Sequence, residues 1–194
     1  MKRFVILTVV FTLGIIILSC GEDNPLSSDS KNNVFYFNSF EADKDSSGWN
    51  GLGLSKDMFA NDPCPEDGKR SLHIGGGCPQ PAASIELSGV EEGNYRFSFW
   101  AKMGQESQSA QVILKTCCGA EDAEKLIVLV DSTGWKFYQS EGNLNVTSNK
   151  KLALEIWVGG IIYADVFIDN LKIEKVSASP RVASVYKNVL ELFK

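Results

Sequence analysis

Between residues 34 and 176, apolar side chains recur at every second position in short runs, with Gly, Asn, Asp and Ser between them. A period of two is the signature of a strand with one buried face. The candidate strands are 34–40, 71–75, 83–87, 93–103, 110–116, 125–131, 136–143, 151–158 and 163–176. Many short strands with turn residues between them predict an all-β antiparallel sandwich or barrel. Parity then sorts the faces. Tyr95, Phe97, Phe99 and Ala101 share one side, and Arg96, Ser98, Trp100 and Lys102 the other. Leu152, Leu154, Ile156 and Val158 are expected to point inward, with Ala153, Glu155 and Trp157 outward. Val112 and Leu114 point in, while Gln111, Ile113 and Lys115 point out.

The two ends of the chain follow other patterns. Lys2 and Arg3 precede an apolar run over 4–18, too short for a span of about 20 residues but suited to a secretory signal. The run closes on Leu18-Ser19-Cys20-Gly21. This resembles a bacterial lipobox, in which the cysteine is lipidated after residues 1–19 are removed. The alternative is an ordinary signal peptide. Residues 20–33, which end in NPLSSDSKNN, read as a flexible polar tether. At the far end, Ser179-Pro180 has the form of a helix start. Val182, Val185, Tyr186, Val189, Leu190 and Phe193 then fall at helical spacing, which predicts a short amphipathic α-helix within 177–194.

Charge and composition narrow the function classes. The balance of 19 Lys and Arg against 24 Asp and Glu gives a net charge of −5, unlike the basic footprint of a nucleic-acid binder. A single histidine, His73, leaves no pair for histidine acid–base or metal chemistry. No nucleophile motif is present, so a non-catalytic protein is expected. With Cys20 assigned to lipid, Cys64, Cys78, Cys117 and Cys118 remain for disulfides in an exported protein. Pairing between the two places, or 64–78 with a vicinal 117–118 ring, are both open.

The order of landmarks resembles a carbohydrate-binding module of the galactose-binding-like jelly-roll type, over residues 34–176. Its elements are Phe37-Asn38-Ser39-Phe40-Glu41, Gly48-Trp49, Gly68-Lys69-Arg70-Ser71-Leu72-His73-Ile74, Gly93-Asn94-Tyr95-Arg96-Phe97-Ser98-Phe99-Trp100, Gly134-Trp135-Lys136-Phe137-Tyr138 and Phe167-Ile168-Asp169-Asn170-Leu171. The resemblance implies a jelly roll and a structural calcium ion. Carried over by motif position, its ligands would be Glu41, Asp169 and Asp67, with main-chain carbonyls of Ser39 and Arg70. Calcium takes about 6–8 such oxygens. The cysteines and the C-terminal extension depart from the pattern.

Sugar rings stack on flat aromatic side chains, and planar polar groups take their hydroxyls. Trp100 and Trp157, on the polar faces of their strands, are the candidate carbohydrate-binding platforms, with Arg96, Lys102, Gln111 and Glu155 as neighbours. The expectation is a membrane-anchored lipoprotein of the bacterial cell envelope, at the outer membrane and its surface, that binds glycan. The acidic Glu22-Asp23 after the cysteine resembles a surface-export signal. The alternative is a structural or assembly lipoprotein that uses the sandwich and the C-terminal helix to hold a protein partner.

Overall fold

The computed structural model describes residues 33–54, 58–66, 68–77, 80–117, 124–147, 150–160 and 162–176. Cys20, Asp67, Cys78, Cys118, the tether up to residue 32 and the predicted C-terminal helix lie outside the described residues.

The strands are β1 (Val34–Asn38), β2 (Trp49–Asn50), β3 (Phe59–Ala60), β4 (Ser71–Gly76), β5 (Ala83–Leu87), β6 (Gly93–Met103), β7 (Ala110–Cys117), β8 (Lys125–Val130), β9 (Lys136–Gln139), β10 (Leu144–Val146), β11 (Lys151–Val158) and β12 (Ala164–Val176). They form two antiparallel sheets. The larger has the order β10-β6-β12-β4-β3, with β9 also on β6 and β1 also on β12; the smaller has the order β2-β5-β11-β7-β8. One apolar cluster takes side chains from both, so the sheets face each other as a jelly-roll sandwich. The expected all-β class holds for the described residues.

Parity placed the core correctly. Phe97, Phe99, Ala101, Val112, Leu114, Leu152, Leu154 and Ile156 have no exposed surface. The strand expected over 136–143 ends early, as β9 at Gln139, and a separate strand that the sequence did not mark, β10, follows at Leu144–Val146. Both run along β6, opposite 98–101 and 93–95 respectively. The break falls at Ser140 to Asn143, where Gly142 takes a φ of 78° that side chains rarely adopt. Ser140 bridges it, giving its N–H to Phe97 O and accepting the Phe97 N–H through its hydroxyl. The two-residue strands β2 and β3 are too short to show alternation in the sequence.

Strand β12 is the spine of the larger sheet. Its register slips between Asp169 and Lys172, with Asn170 at φ 46°. Such a bulge re-aims side chains, and here it turns Asp169 toward the loop between β3 and β4. Beyond the bulge, Glu174 lies opposite Arg96, 3.1 Å from its guanidinium, with the Lys172 ammonium 3.0 Å away. Burial raises the Glu174 pKa, but the bonds and charges of Lys172 and Arg96 outweigh it and hold the carboxyl below the ordinary value near 4.5. A lowered acid contributes stability above its unfolded pKa and loses it as pH falls through the folded one. Urea unfolding of Glu174→Gln should therefore cost about 1–2 kcal/mol at pH 7. The deficit should shrink on acidification below about pH 4.5. A deficit unchanged down to pH 3 would contradict this role.

Candidate functional site

The smaller sheet presents an organised outer face. Ile156 and Val158 are buried in the core, so Trp157 between them projects outward, half-buried. Its indole N–H donates to Glu155 Oε2 at 3.2 Å. The other Glu155 oxygen lies 2.5 Å from Lys115 Nζ on the adjacent strand. Gln111 stands opposite Trp157 across β7, and Leu129 of β8 stands opposite Gln111. A second row runs from Ser84 through Glu155 and Ile113 to Ile127. Strands about 4.8 Å apart make that four-strand row about 14 Å wide. The face thus holds one ring whose tilt is fixed by a carboxylate, flanked by an amide and an ammonium. Ile127 and Leu129 form an apolar border, each about half exposed.

The outer face of the larger sheet carries the other tryptophan. Trp100 is half-buried, edge-on to Phe137 with ring centres 5.8 Å apart. Its indole N–H is buried and has no hydrogen-bond partner among the described residues. The segment 61–66 crosses this face. Asp62 meets Lys102 Nζ at 2.5 Å and takes the Trp135 indole N–H at 3.3 Å. Burial would raise the Asp62 pKa, yet the bonds from Lys102 and Trp135 and the Lys102 charge hold it below the ordinary range. Arg96 is engaged with Glu174.

The sequence-derived carbohydrate set is therefore divided by the sandwich. Trp157, Glu155 and Gln111 share one outer face, while Trp100, Lys102 and Arg96 lie on the opposite one. Parity marks a residue as outward but does not say from which sheet. Lys115, Ile127 and Leu129 escaped notice as site residues. The run over β8 is apolar at successive positions, so no period marked its outer face. His73, Asp165 and Tyr163 were missed on the larger sheet, where only strand pairing joins them.

The candidate calcium ligands Glu41 and Asp169 come together. Glu41 Oε1 accepts the N–H groups of Lys69 and Arg70 at 2.8 and 3.0 Å. The Arg70 guanidinium bonds the Glu41 carbonyl. Asp169, 1% exposed, accepts the Cys64 N–H at 2.9 Å and the Asn170 N–H at 2.7 Å. Burial pushes the Asp169 carboxyl above the ordinary range despite those bonds, and the Glu41 charge adds to the rise. Two hard-oxygen ligands with mutual repulsion suit a divalent cation. No group of three metal-ligating side chains occurs among the described residues, and Asp67 lies outside them. Cys64 sits against Asp169, and Cys117 ends β7 opposite Lys151. The other two cysteines expected in disulfides, Cys78 and Cys118, are not among the described residues.

Comparison with solved structures bears on the architecture. The xylan-binding domain CBM22-1 of Paenibacillus barcinonensis Xyn10C superposes with a TM-score of 0.57 at 20% identity, covering 76% of this chain and 97% of that one. The C-terminal family 22 carbohydrate-binding module of Clostridium thermocellum Xyn10B gives 0.55 at 16% identity, covering 75% of this chain and 96% of that one. The chain shares the fold of family 22 carbohydrate-binding modules. No protein-family model matches it, and no curated protein does. A likeness at this identity establishes the jelly roll and leaves the ligand to the chemistry of the faces.

A cavity of about 380 Å³ lies where β4 ends and β5 begins, with Leu52, Gly75, Gly76, Gln80, Pro81 and Tyr163 in its lining. A Cβ on Gly75 would overlap the Tyr163 hydroxyl, so the glycine is what lets that ring lie over β4. Neither Trp100 nor Trp157 lines this cavity.

Proposed function

We propose that this chain is a non-catalytic, lipid-anchored module of the bacterial envelope that binds polysaccharide on the outer face of the five-stranded sheet. The observation that carries the reading is Trp157, its ring held by Glu155 and flanked by Gln111 and Lys115. An aromatic face meets the C–H face of a sugar, while carboxylate, amide and ammonium exchange hydrogen bonds with its hydroxyls. Xylan, which the family 22 modules of the same fold bind, is the first polymer to try. Affinity electrophoresis in gels containing xylan, galactan or mixed-linkage glucan tests this. Retardation by one polymer is expected, and migration unchanged in all three would overturn the reading.

Cys20 supplies the lipid anchor and residues 20–33 the tether, so the sandwich stands off the outer membrane surface. Globomycin-sensitive processing and labelling with a fatty-acid analogue that is lost in Cys20→Ser test the anchor. The second reading, an assembly protein, draws on Ile127 and Leu129, exposed on the edge strand β8. Charged substitution of both should abolish protein capture on that reading.

Calcium is the structural ion we assign to Glu41 and Asp169. It would neutralise two carboxylates that otherwise repel beneath the loop. Without a cation, a raised acid favours the folded state only below its unfolded pKa, and that contribution is lost as pH rises through the folded value. Calcium at about 100 times its Kd should add about 2.7 kcal/mol. That corresponds to roughly 5–10 °C in Tm, read by thermal unfolding with and without EDTA. Asp169→Asn should remove most of the response. An equal calcium response in Asp169→Asn would exclude the site.

A further inference from the structure

The larger sheet has an outer face whose chemistry the five-stranded site leaves unused. At its centre, Phe167 of β12 and His73 of β4 are cross-strand neighbours with stacked rings, 4.7 Å between centres and 14° between planes. On one side the Lys102 ammonium lies 5.1 Å from the Phe167 ring and 5.3 Å from Trp135, tied to Asp62. On the other side His73 Nε2 lies 3.0 Å from Asp165 Oδ1, which also accepts the Tyr163 hydroxyl at 3.1 Å. Tyr163 is 59% exposed and forms part of the wall of the 380 Å³ cavity.

Along this face the groups follow one another from the cavity, past Tyr163 and the His73–Phe167 pair, to Trp135 and the 47%-exposed Phe137, with Asp62 of the crossing segment 61–66 holding Lys102 and Trp135 between them. Rings alternate along it with a carboxylate, an imidazole and an ammonium. Its polar groups are already oriented by one another, so little ordering remains to be done when a ligand arrives. Flat rings beside fixed polar groups suit the same ligand chemistry as the Trp157 face, a pyranose chain with apolar faces and equatorial hydroxyls. The cavity, at about 380 Å³, is within the ordinary range for ligand pockets.

We propose that this face and its cavity are a second saccharide-binding surface, so that one domain holds two glycan chains on opposite sides of the sandwich. The proposal rests on the polysaccharide-binding reading and extends it. Two sites that cannot serve one short oligosaccharide at once make the module a cross-link between polymer strands, with avidity on a dense glycan surface.

The test is stoichiometry. Hexasaccharides of the polymer that retards the protein are titrated calorimetrically into wild type, Trp157→Ala, His73→Ala/Tyr163→Ala and the triple variant that combines them. Circular dichroism checks the fold of each; the side chains removed are all outside the core. Two oligosaccharides per wild-type domain are expected, one in each variant and none in the triple variant. Wild type should also cross-link the soluble polymer, seen as turbidity near half-saturation, and neither variant should. One oligosaccharide per wild-type domain, with His73→Ala/Tyr163→Ala unchanged, would overturn the second surface and leave the first standing. Loss of all binding in His73→Ala/Tyr163→Ala with Trp157→Ala unaffected would overturn both the two-chain proposal and the assignment to the five-stranded face. No retention by any polymer would remove the reading on which both rest.

Discussion

Trp157→Ala should weaken binding of the retained polysaccharide at the five-stranded face by at least about 30-fold. A central tryptophan in a binding surface commonly accounts for about 2 kcal/mol or more, and 1.4 kcal/mol is tenfold in affinity. The ring supplies the apolar platform, and truncation also frees Glu155 Oε2 from the indole N–H it now accepts. Glu155 would remain paired with Lys115, so the loss should fall on stacking more than on charge. Trp157→Phe should recover part of the affinity, since it keeps a ring but not the donor. Stability should barely change, because half-exposed positions away from the core usually shift unfolding by no more than about 0.5 kcal/mol. Affinity electrophoresis measures the first effect and urea unfolding the second. Full binding by a folded Trp157→Ala protein would place the ligand elsewhere.

The second large effect concerns stability. Phe99 has no exposed surface and lies between Phe97 and Tyr138, with ring centres 5.8 and 5.7 Å away and planes nearly parallel. It belongs to β6, which pairs with β12, β9 and β10. Phe99→Ala removes the ring and leaves a cavity that a close-packed sandwich cannot collapse around. The expected cost is about 3–5 kcal/mol. For a domain of this size that lowers Tm by roughly 10–20 °C. Phe137 provides the internal control, lying one strand away with its ring on the outer face. Phe137→Ala should cost less than about 1 kcal/mol. Equal losses at the two positions, measured by equilibrium urea unfolding, would mean that the assignment of faces is wrong.

These two expectations were legible in the sequence to different depths. The burial of Phe99 follows from its place in the alternation Tyr95, Phe97, Phe99, Ala101, since a strand with one apolar side can hide it only against another such side. Outwardness of Trp157 follows from the same rule. Company is another matter. Glu155 and Gln111 were named as neighbours of the two tryptophans together, and 155, two positions along the same strand, shares a face with Trp157 by parity alone. Trp100 and Lys102 obey the same rule with equal force, yet they belong to the other sheet. Lys115, Ile127 and Leu129 join the site only through the register of β7 with β11 and β8.

The carboxylates tell a similar story. Glu41 and Asp169 are 128 positions apart in the chain, and the motif resemblance placed them together before the fold did. The burial that lifts the Asp169 pKa could not be read in advance, because it arises from the β12 bulge and from a loop that folds over it.

The amino-acid order by itself determined the class of fold, the positions of the long strands and, in β6, β7 and β11 where the alternation is clean, which side faces the core. Period-two burial is a local property, set by a backbone that points successive side chains to opposite sides. Only the tertiary structure decided which strands lie side by side, and so which outward residues share a surface. Strand pairing is a long-range choice among many apolar faces of similar pattern, settled by how two sheets pack over one core and by the bulges and loops that complete them. For this chain that choice sends its two polar-face tryptophans to opposite sides of the sandwich, and it brings His73, Phe167, Asp165 and Tyr163 onto one.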